Sequence, residues 1–78
     1  MTEEVAACIT KMANIQYRCR DPLQAIELQT KALIIQEKLL GPDDSTVAYS
    51  YSNLGLYYHS CQYFSKGFEA MQRAVKIL

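Results

Sequence analysis

Residues 1–36, MTEEVAACITKMANIQYRCRDPLQAIELQTKALIIQ, and residues 43–78, DDSTVAYSYSNLGLYYHSCQYFSKGFEAMQRAVKIL, follow one pattern, and this repetition decides the fold. Aligned at an offset of 42 residues, the 36 pairs contain six identities. They are Val5/Val47, Ala6/Ala48, Cys19/Cys61, Glu27/Glu69, Ala32/Ala74 and Ile35/Ile77. A fixed period of roughly 20 to 50 residues is typical of stacked repeats. We therefore expect a repeat stack, which presents a long concave surface and not a deep catalytic pocket.

The residues between the apolar stretches indicate where helices begin and end. Asp21-Pro22 offers an N-cap followed by a proline in the first turn, where its missing N–H costs nothing. Gly41-Pro42 ends the next helix, and Asp43-Asp44-Ser45 supplies another N-cap. The sequence therefore predicts an all-α fold, an α-solenoid fragment of two stacked helix-turn-helix units. Its four antiparallel helices are expected at about 3–18, 22–40, 44–60 and 63–78, with 1–42 as the first repeat and 43–78 as the second.

Small residues recur at fixed places in both copies. They are Ala13, Ala25 and Ala32 in the first and Gly55, Gly67 and Ala74 in the second, spaced by 12 and then 7 residues. A four-helix bundle with incidental alanines would explain the apolar periodicity but not this repeated spacing. Larger apolar residues form the predicted apolar faces of the first two helices: Val5, Cys8, Ile9, Met12 and Ile15, then Leu23, Ile26, Leu28, Leu33, Ile34 and Leu40.

Composition argues against several classes of protein. Lys plus Arg equals Asp plus Glu, eight of each, so no net field favours nucleic acid or an anionic membrane. No apolar run approaches the roughly 18 to 20 residues of a membrane span, and the N-terminus lacks the regions of a signal peptide. The three cysteines, Cys8, Cys19 and Cys61, form no CxxC pair. This usage fits a reduced interior better than a disulfide framework, so we expect a cytoplasmic protein.

The spacing of 12 and then 7 residues resembles that of tetratricopeptide repeats. The 42-residue unit resembles the longer repeats of kinesin light chains, because it ends in Glu37-Lys38-Leu39-Leu40-Gly41 and restarts at Val47-Ala48. It is also similar to the C-terminal repeats of the clustered mitochondria (Clu) family, through residues 4–9, 25–26, 29–32 and 54–58. The resemblance covers nearly the whole chain. It implies a non-enzymatic scaffold that binds a protein or peptide in a concave groove, in a protein involved in mitochondrial distribution.

The resemblance also implies which side chains face the groove, because the first helix of each repeat lines it. These are Ala7, Thr10, Lys11, Asn14, Tyr17 and Arg18, then Tyr49, Ser52, Asn53, Leu56, His59 and Ser60. As candidate peptide-binding residues we take Lys11, Asn14, Arg18, Tyr49, Asn53, Leu56 and His59. Asparagine amides can bond an extended backbone, and lysine and arginine can pair with a carboxylate. The alternative is that these residues are only the solvated side of two helices. The position of Lys11 does not match the chaperone-type carboxylate clamp, so a chaperone tail is not the expected ligand.

Arg20 and Gln62 depart from the pattern of the family, because such repeats usually have glycine at the end of the first helix. A left-handed conformation costs a non-glycine residue about 1 kcal/mol. We therefore expect these two turns to differ in conformation from the glycine turn that is usual in the family.

Six tyrosines raise an alternative function, because aromatic and basic side chains together can hold single-stranded RNA. The resemblance to the Clu family implies a role with messenger RNAs for mitochondrial proteins. Against this reading, most of the tyrosines fall at helix-packing positions: Tyr51, Tyr57, Tyr58 and Tyr63. The only basic cluster consists of Lys11, Arg18 and Arg20.

The sequence offers no catalytic or metal-binding constellation. His59 and Cys61 are two residues apart, which on a helix points them to different faces. No nucleophile–base pair forms locally, and the cysteines and histidine lack ligand spacing. We expect no enzyme activity, no metal and no cofactor.

Two repeats are fewer than the three or so that normally close a core, so we expect a piece of a longer protein. The fourth helix also carries an apolar face that a following repeat would cover: Phe64, Phe68, Met71, Val75 and Leu78. Such a patch favours self-association. We expect a homo-oligomer through this C-terminal helix, formed by packing of faces or by helix exchange.

Overall fold

The computed structural model describes residues 2–77, which form four α-helices. They are α1 (Glu3–Arg18), α2 (Pro22–Leu40), α3 (Ser45–Ser60) and α4 (Phe64–Ile77). The predicted all-α fold is confirmed. The predicted starts of α3 and α4, at residues 44 and 63, are each one residue too early. The predicted end of α4 at Leu78 lies outside the described residues. α1 packs on α2, α2 on α3 and α3 on α4. Two helical hairpins therefore lie side by side, with principal Cα extents of 30 × 25 × 13 Å.

Side-chain caps begin the first three helices. The Thr2 hydroxyl accepts from the Val5 N–H at 3.3 Å. Asp21 accepts from the Gln24 N–H at 3.3 Å, with Pro22 at the first helical position. Asp44 accepts from the Thr46 N–H at 2.8 Å. Each cap satisfies a backbone donor that has no partner inside the helix, so these short polar residues fix where the helices start.

The two hairpin turns keep the left-handed cap although neither carries glycine. Arg20 has φ 64° and Gln62 has φ 65°, so the expectation that these turns differ from a glycine turn is wrong. The Asp21 N–H donates to the Gln16 carbonyl at 2.9 Å, and the Tyr63 N–H repeats this bond to the Tyr58 carbonyl at 2.9 Å. These bonds define a Schellman motif, which satisfies helix carbonyls that otherwise lack donors. Those hydrogen bonds compensate for the left-handed strain at the two positions.

The six small residues of the repeated pattern are all buried. Ala13, Ala25 and Ala32 are fully buried in the first hairpin, and Gly55, Gly67 and Ala74 are buried in the second. A Cβ at Gly67 would lie 3.2 Å from the Gly55 carbonyl oxygen, which shows how close α4 comes to α3. Backbones at this separation have no room for larger side chains.

Several larger apolar residues of the predicted faces are exposed. Val5, Met12 and Ile15 on α1 are exposed, as are Leu23 and Ile34 on α2. Helical periodicity predicts an apolar stripe but not what covers it, so parts of the predicted apolar faces lie exposed. On α1, Ile9 of the same stripe is half-buried against residues of α2, whereas Val5, Met12 and Ile15 are exposed. Within residues 2–77, no helix is long and apolar enough to cross a membrane.

Candidate peptide-binding groove

The first helices of the two hairpins share one shallow depression, with a volume of about 530 Å³. One side is α1 and the other is the N-terminal part of α3, while Gln36 of α2 reaches the floor. Its lining includes four of the seven candidate residues, namely Lys11, Asn14, Arg18 and Tyr49. Ala7, Thr10, Ile15, Gln36 and Thr46 complete the lining. We call this surface the groove.

Leu56 and His59 lie in a separate depression between α3 and α4, with a volume of about 320 Å³. The His59 ring meets the Phe64 ring edge-on, with their centroids 5.1 Å apart. Leu56 follows Tyr49 by seven residues, about 10.5 Å farther along α3, and it lies with residues of α4 in the second depression. The candidate residues of the two hairpins therefore divide between two surfaces.

Asn53 falls between Tyr49 and Leu56 on α3, and a hydrogen bond directs its side chain toward the interior. Its Nδ2 donates to Oε1 of Gln29 at 3.5 Å. Gln29 is fully buried, and its Nε2 donates to Thr10 Oγ1 at 3.4 Å. Two residues expected to face the groove, Thr10 and Asn53, are thus joined to the same buried amide.

That amide belongs to a buried set of three polar residues between α2 and α3, Gln29, Gln36 and Ser50, which we call the polar triad. Gln29 Nε2 donates to Ser50 Oγ at 3.0 Å, and the Ser50 hydroxyl donates to Gln36 Oε1. Within the described residues, every buried side-chain nitrogen and oxygen has a hydrogen-bond partner. A shifted register of the hairpins would break these bonds, and each buried group left unpaired costs about 1–3 kcal/mol. The polar triad therefore fixes how α3 sits on the first hairpin.

A pair of tyrosines closes the other end of this interface. The rings of Tyr17 and Tyr57 lie 5.0 Å apart between centroids. Tyr57 is buried, and this burial raises the pKa of its hydroxyl above the usual value of 10.0, with Tyr49 and Tyr17 adding to the effect. The Tyr17 hydroxyl lies 3.3 Å from Ser60 Oγ, near the end of α3. The tyrosines thus join the two first helices beside the groove.

Two cations give the groove its charge. Lys11 and Arg18 are both exposed on α1, and their spacing of seven residues corresponds to two helical turns, or about 10.5 Å. Asn14, half-buried, lies between them and can offer both a donor and an acceptor. The exposed ring of Tyr49 lies on the neighbouring helix. This arrangement suits a ligand that carries carboxylates and an unpaired backbone.

Most of the tyrosines are part of the core and offer no platform for bases. Tyr57 is buried, and Tyr51 and Tyr58 are half-buried as the sequence predicts, while Tyr63 is exposed. The Arg73 guanidinium lies 5.7 Å from the centroid of the Tyr51 ring. Stacking of successive bases needs exposed aromatic faces along a basic groove, and Tyr49 alone provides one in the groove.

Two features that shape this surface were not predicted from the sequence. Gln36 forms part of the floor, and Thr46 lines the edge next to the first turn of α3. Gln29, Gln36 and Ser50 stand at positions where helical periodicity would place apolar residues. Polar residues at such positions are the sequence signal that could have indicated a buried hydrogen-bonded set beneath the groove. Across residues 2–77, no group of three histidine, cysteine, aspartate or glutamate side chains is gathered in a way that could hold a metal ion.

Comparison with known proteins identifies the repeat. The tetratricopeptide repeat model matches residues 5–78. A clustered mitochondria protein of Arabidopsis thaliana is 39% identical over 74 residues, which cover 95% of this chain and 5% of that protein. Clustered mitochondria protein homologues of Coccidioides immitis and Aspergillus niger are each 35% identical over 57 residues, or 73% of this chain, and 4% and 5% of those proteins.

The chain thus spans about 5% of the length of the relatives it matches. Tetratricopeptide repeats form a non-catalytic scaffold of stacked helix pairs, which is the architecture of α1 to α4. Because the match extends over residues 5–78 and the small residues of both hairpins lie in the helix contacts, this chain belongs to the tetratricopeptide repeat family and is related to the clustered mitochondria proteins.

Proposed function

We propose that this chain is a protein-interaction segment of a Clu-type scaffold, and that its groove binds an acidic, extended peptide of a partner protein. The observation that carries the proposal is the row of Lys11, Asn14 and Arg18 on α1, with Tyr49 beside it on α3. A link to mitochondrial distribution is suggested by the name of the relatives. It would be a property of the whole protein, to which this chain contributes one part.

The spacing of the cations indicates the form of the ligand. Lys11 and Arg18 are about 10.5 Å apart along the helix axis. A polyproline II peptide advances about 3.1 Å per residue with three residues per turn, so carboxylates three positions apart lie about 9 Å apart on one side. Its backbone makes no internal hydrogen bonds and is free to bond the Asn14 amide. Tyr49 would cover an apolar side chain of the same peptide.

Fluorescence anisotropy with labelled peptides tests this proposal. We expect a peptide with two aspartates three positions apart to bind better than one with adjacent aspartates. Lys11→Glu should weaken binding about fivefold, because an exposed ion pair contributes up to about 1 kcal/mol. Lys38→Glu is the matched control, since Lys38 is exposed on α2 and lies outside the groove.

Three outcomes would contradict the groove assignment. Equal weakening by Lys11→Glu and Lys38→Glu would mean that only the overall charge matters. Indifference to the spacing of the aspartates would remove the argument from the cations. Binding of single-stranded RNA with a steep salt dependence, together with no affinity for acidic peptides, would favour the RNA alternative.

Two further expectations remain proposals. Self-association through α4 is supported by exposed Phe64, Phe68, Met71 and Val75. Sedimentation equilibrium over a range of concentrations tests it, and a monomer throughout would refute it. A cytoplasmic location is supported by the cysteine usage, and fractionation of cells that express the whole protein would test it.

A further inference from the structure

Two largely apolar faces are exposed, one on the first helix, α1, and one on the last, α4. One is formed by Val5, Cys8, Met12 and Ile15, all exposed on α1, and we call it the α1 face. The other is formed by Phe68, Met71 and Val75 on α4 together with the polar ring of His59 from the end of α3, and we call it the α4 face. Phe68 is 65% exposed and Val75 is 73% exposed, values more typical of a contact surface than of a core.

The internal repeat indicates what covers each face. At an offset of 42 residues, the α1 face corresponds to Val47, Ser50, Leu54 and Tyr57 of α3, all of which are at most 4% exposed. The α4 face corresponds to Tyr17, Ile26, Gln29 and Leu33 of the first hairpin. These two sets pack on each other in the structure, through two apolar clusters and the bond from Gln29 to Ser50.

We propose that the α1 face of one molecule packs on the α4 face of a second copy, and so repeats between molecules the contact that α3 makes with the first hairpin. The association is therefore head-to-tail. It rests on the self-association through α4 proposed above and specifies its partner surface, which is α1 and not a second α4.

The side chains that would meet are complementary in size. In the internal contact, Ile26 of α2 packs in the same cluster as Tyr57 of α3. The corresponding pair between molecules is Phe68 with Ile15, in which the larger residue has moved to the other partner. Val5 repeats Val47, and Met12 stands for Leu54 at similar volume. Such exchanges conserve the packed volume and are tolerated best in cores.

The polarity of the contact also matches on both sides. Where Gln29 bonds Ser50 inside the molecule, Met71 would meet Cys8 between molecules. Neither leaves a strong hydrogen-bonding group unpaired on burial, because the thioether and the thiol are only weak donors or acceptors. At this position the intermolecular contact is therefore the more apolar of the two.

Head-to-tail packing has a consequence for the groove. The contact is heterologous and is not closed by a two-fold axis, so it can add further copies. The second α1 would lie beside the α3 of the first molecule, as α1 and α3 lie within one molecule. Leu56, which corresponds to Asn14, would then line a second groove at the junction. The peptide-binding surface would continue from one molecule to the next.

Sedimentation equilibrium of two single variants and their mixture tests the proposal. Met12→Glu blocks the α1 face and Phe68→Glu blocks the α4 face; both residues are exposed, and circular dichroism checks that each variant is folded. Each variant alone should be a monomer of 8.9 kDa. An equimolar mixture should form a 1:1 pair and nothing larger, since each variant keeps one intact face.

Leu23→Glu is the matched control, because Leu23 is 60% exposed on α2 and lies on neither face. This variant should associate as the wild type does. Continued self-association of Met12→Glu alone would overturn the head-to-tail contact and favour α4–α4 packing or helix exchange. A mixture that stays monomeric would overturn it as well. A wild type that is monomeric at all concentrations would overturn both this contact and self-association through α4.

Discussion

Replacing Ser50 with alanine removes a single oxygen from the contact between the hairpins, and we expect a large loss of stability for so small a change. Gln36 Oε1 would lose the hydroxyl that donates to it, and one N–H of Gln29 would lose its acceptor. Both glutamines are buried, Gln36 at 4% and Gln29 at 0% exposure, so the groups left without a partner lie largely out of contact with water.

Each buried group left unpaired costs about 1–3 kcal/mol. Alanine has the higher helix propensity, which offsets roughly 0.5 kcal/mol. With two groups left unpaired, the free energy of unfolding should therefore fall by about 1.5–5.5 kcal/mol. At about 0.05–0.15 kcal/mol per residue, a chain of this length has roughly 4–12 kcal/mol in all. The substitution would remove a large share of that stability.

Urea unfolding followed by circular dichroism measures this loss. The midpoint should fall while the slope is unchanged, because the surface exposed on unfolding is the same. The measurement belongs in the Phe68→Glu background, where association cannot add to apparent stability. Ser52→Ala is the matched control: the same substitution in α3 at a half-buried position that should change stability by no more than about 0.5 kcal/mol.

A double variant separates the hydrogen bonds from other effects of the substitution. Adding Gln36→Leu to Ser50→Ala removes both partners of one bond, so the combined loss should be smaller than the sum of the two single losses. The reasoning is refuted if Ser50→Ala is as stable as Ser52→Ala. It is refuted equally if the losses at Ser50 and Gln36 simply add.

Two further predictions follow from the backbone and from Tyr57. Arg20→Gly and Gln62→Gly should each stabilise the fold by about 0.5–1 kcal/mol. Glycine relieves the left-handed strain, and this gain exceeds the entropy that it adds to the unfolded chain. Alanine at the same positions should not raise the midpoint temperature of thermal unfolding. Burial holds the pKa of Tyr57 above 10.0, so the phenol ionises more readily in the unfolded chain. The stability of the wild type relative to Tyr57→Phe should be constant below about pH 10 and should fall as the pH rises through the raised pKa. Urea midpoints of both proteins measured across that range would show parallel curves if this reasoning were wrong.

The helices were predictable because their signals are local. Asp21-Pro22 and Gly41-Pro42 specify where α2 begins and ends, and the repeated small residues identify the contact between the helices of each hairpin. The Schellman turns at Arg20 and Gln62 were not predictable from propensity alone. Their left-handed conformation depends on hydrogen bonds to helix carbonyls, and a residue scale does not count those bonds.

The groove was predictable in part, and the division follows from how the hairpins meet. Lys11, Asn14 and Arg18 share one side of α1 by periodicity alone, so their common surface needs no tertiary information. Leu56 is placed by α4, and Asn53 by a bond to Gln29 from another helix. Contacts of this kind depend on how one hairpin is rotated against the other. No short segment of the sequence carries a signal for that rotation.

The polar triad has a further role that depends on the repeat itself. Because the two hairpins share one pattern, α1 of a second copy could in principle take the place of α3 on the first hairpin. That exchange would put Cys8 where Ser50 lies and leave the buried Gln29 amide without a strong acceptor, at a cost of about 1–3 kcal/mol. The reverse error would bury the Ser50 hydroxyl against Met71, again without a partner. Inside the molecule, polar Gln29 therefore pairs with polar Ser50, and between molecules Met71 pairs with Cys8 at the corresponding positions. This difference fixes the order of the hairpins within one molecule. It also leaves the α1 face and the α4 face available for head-to-tail contact.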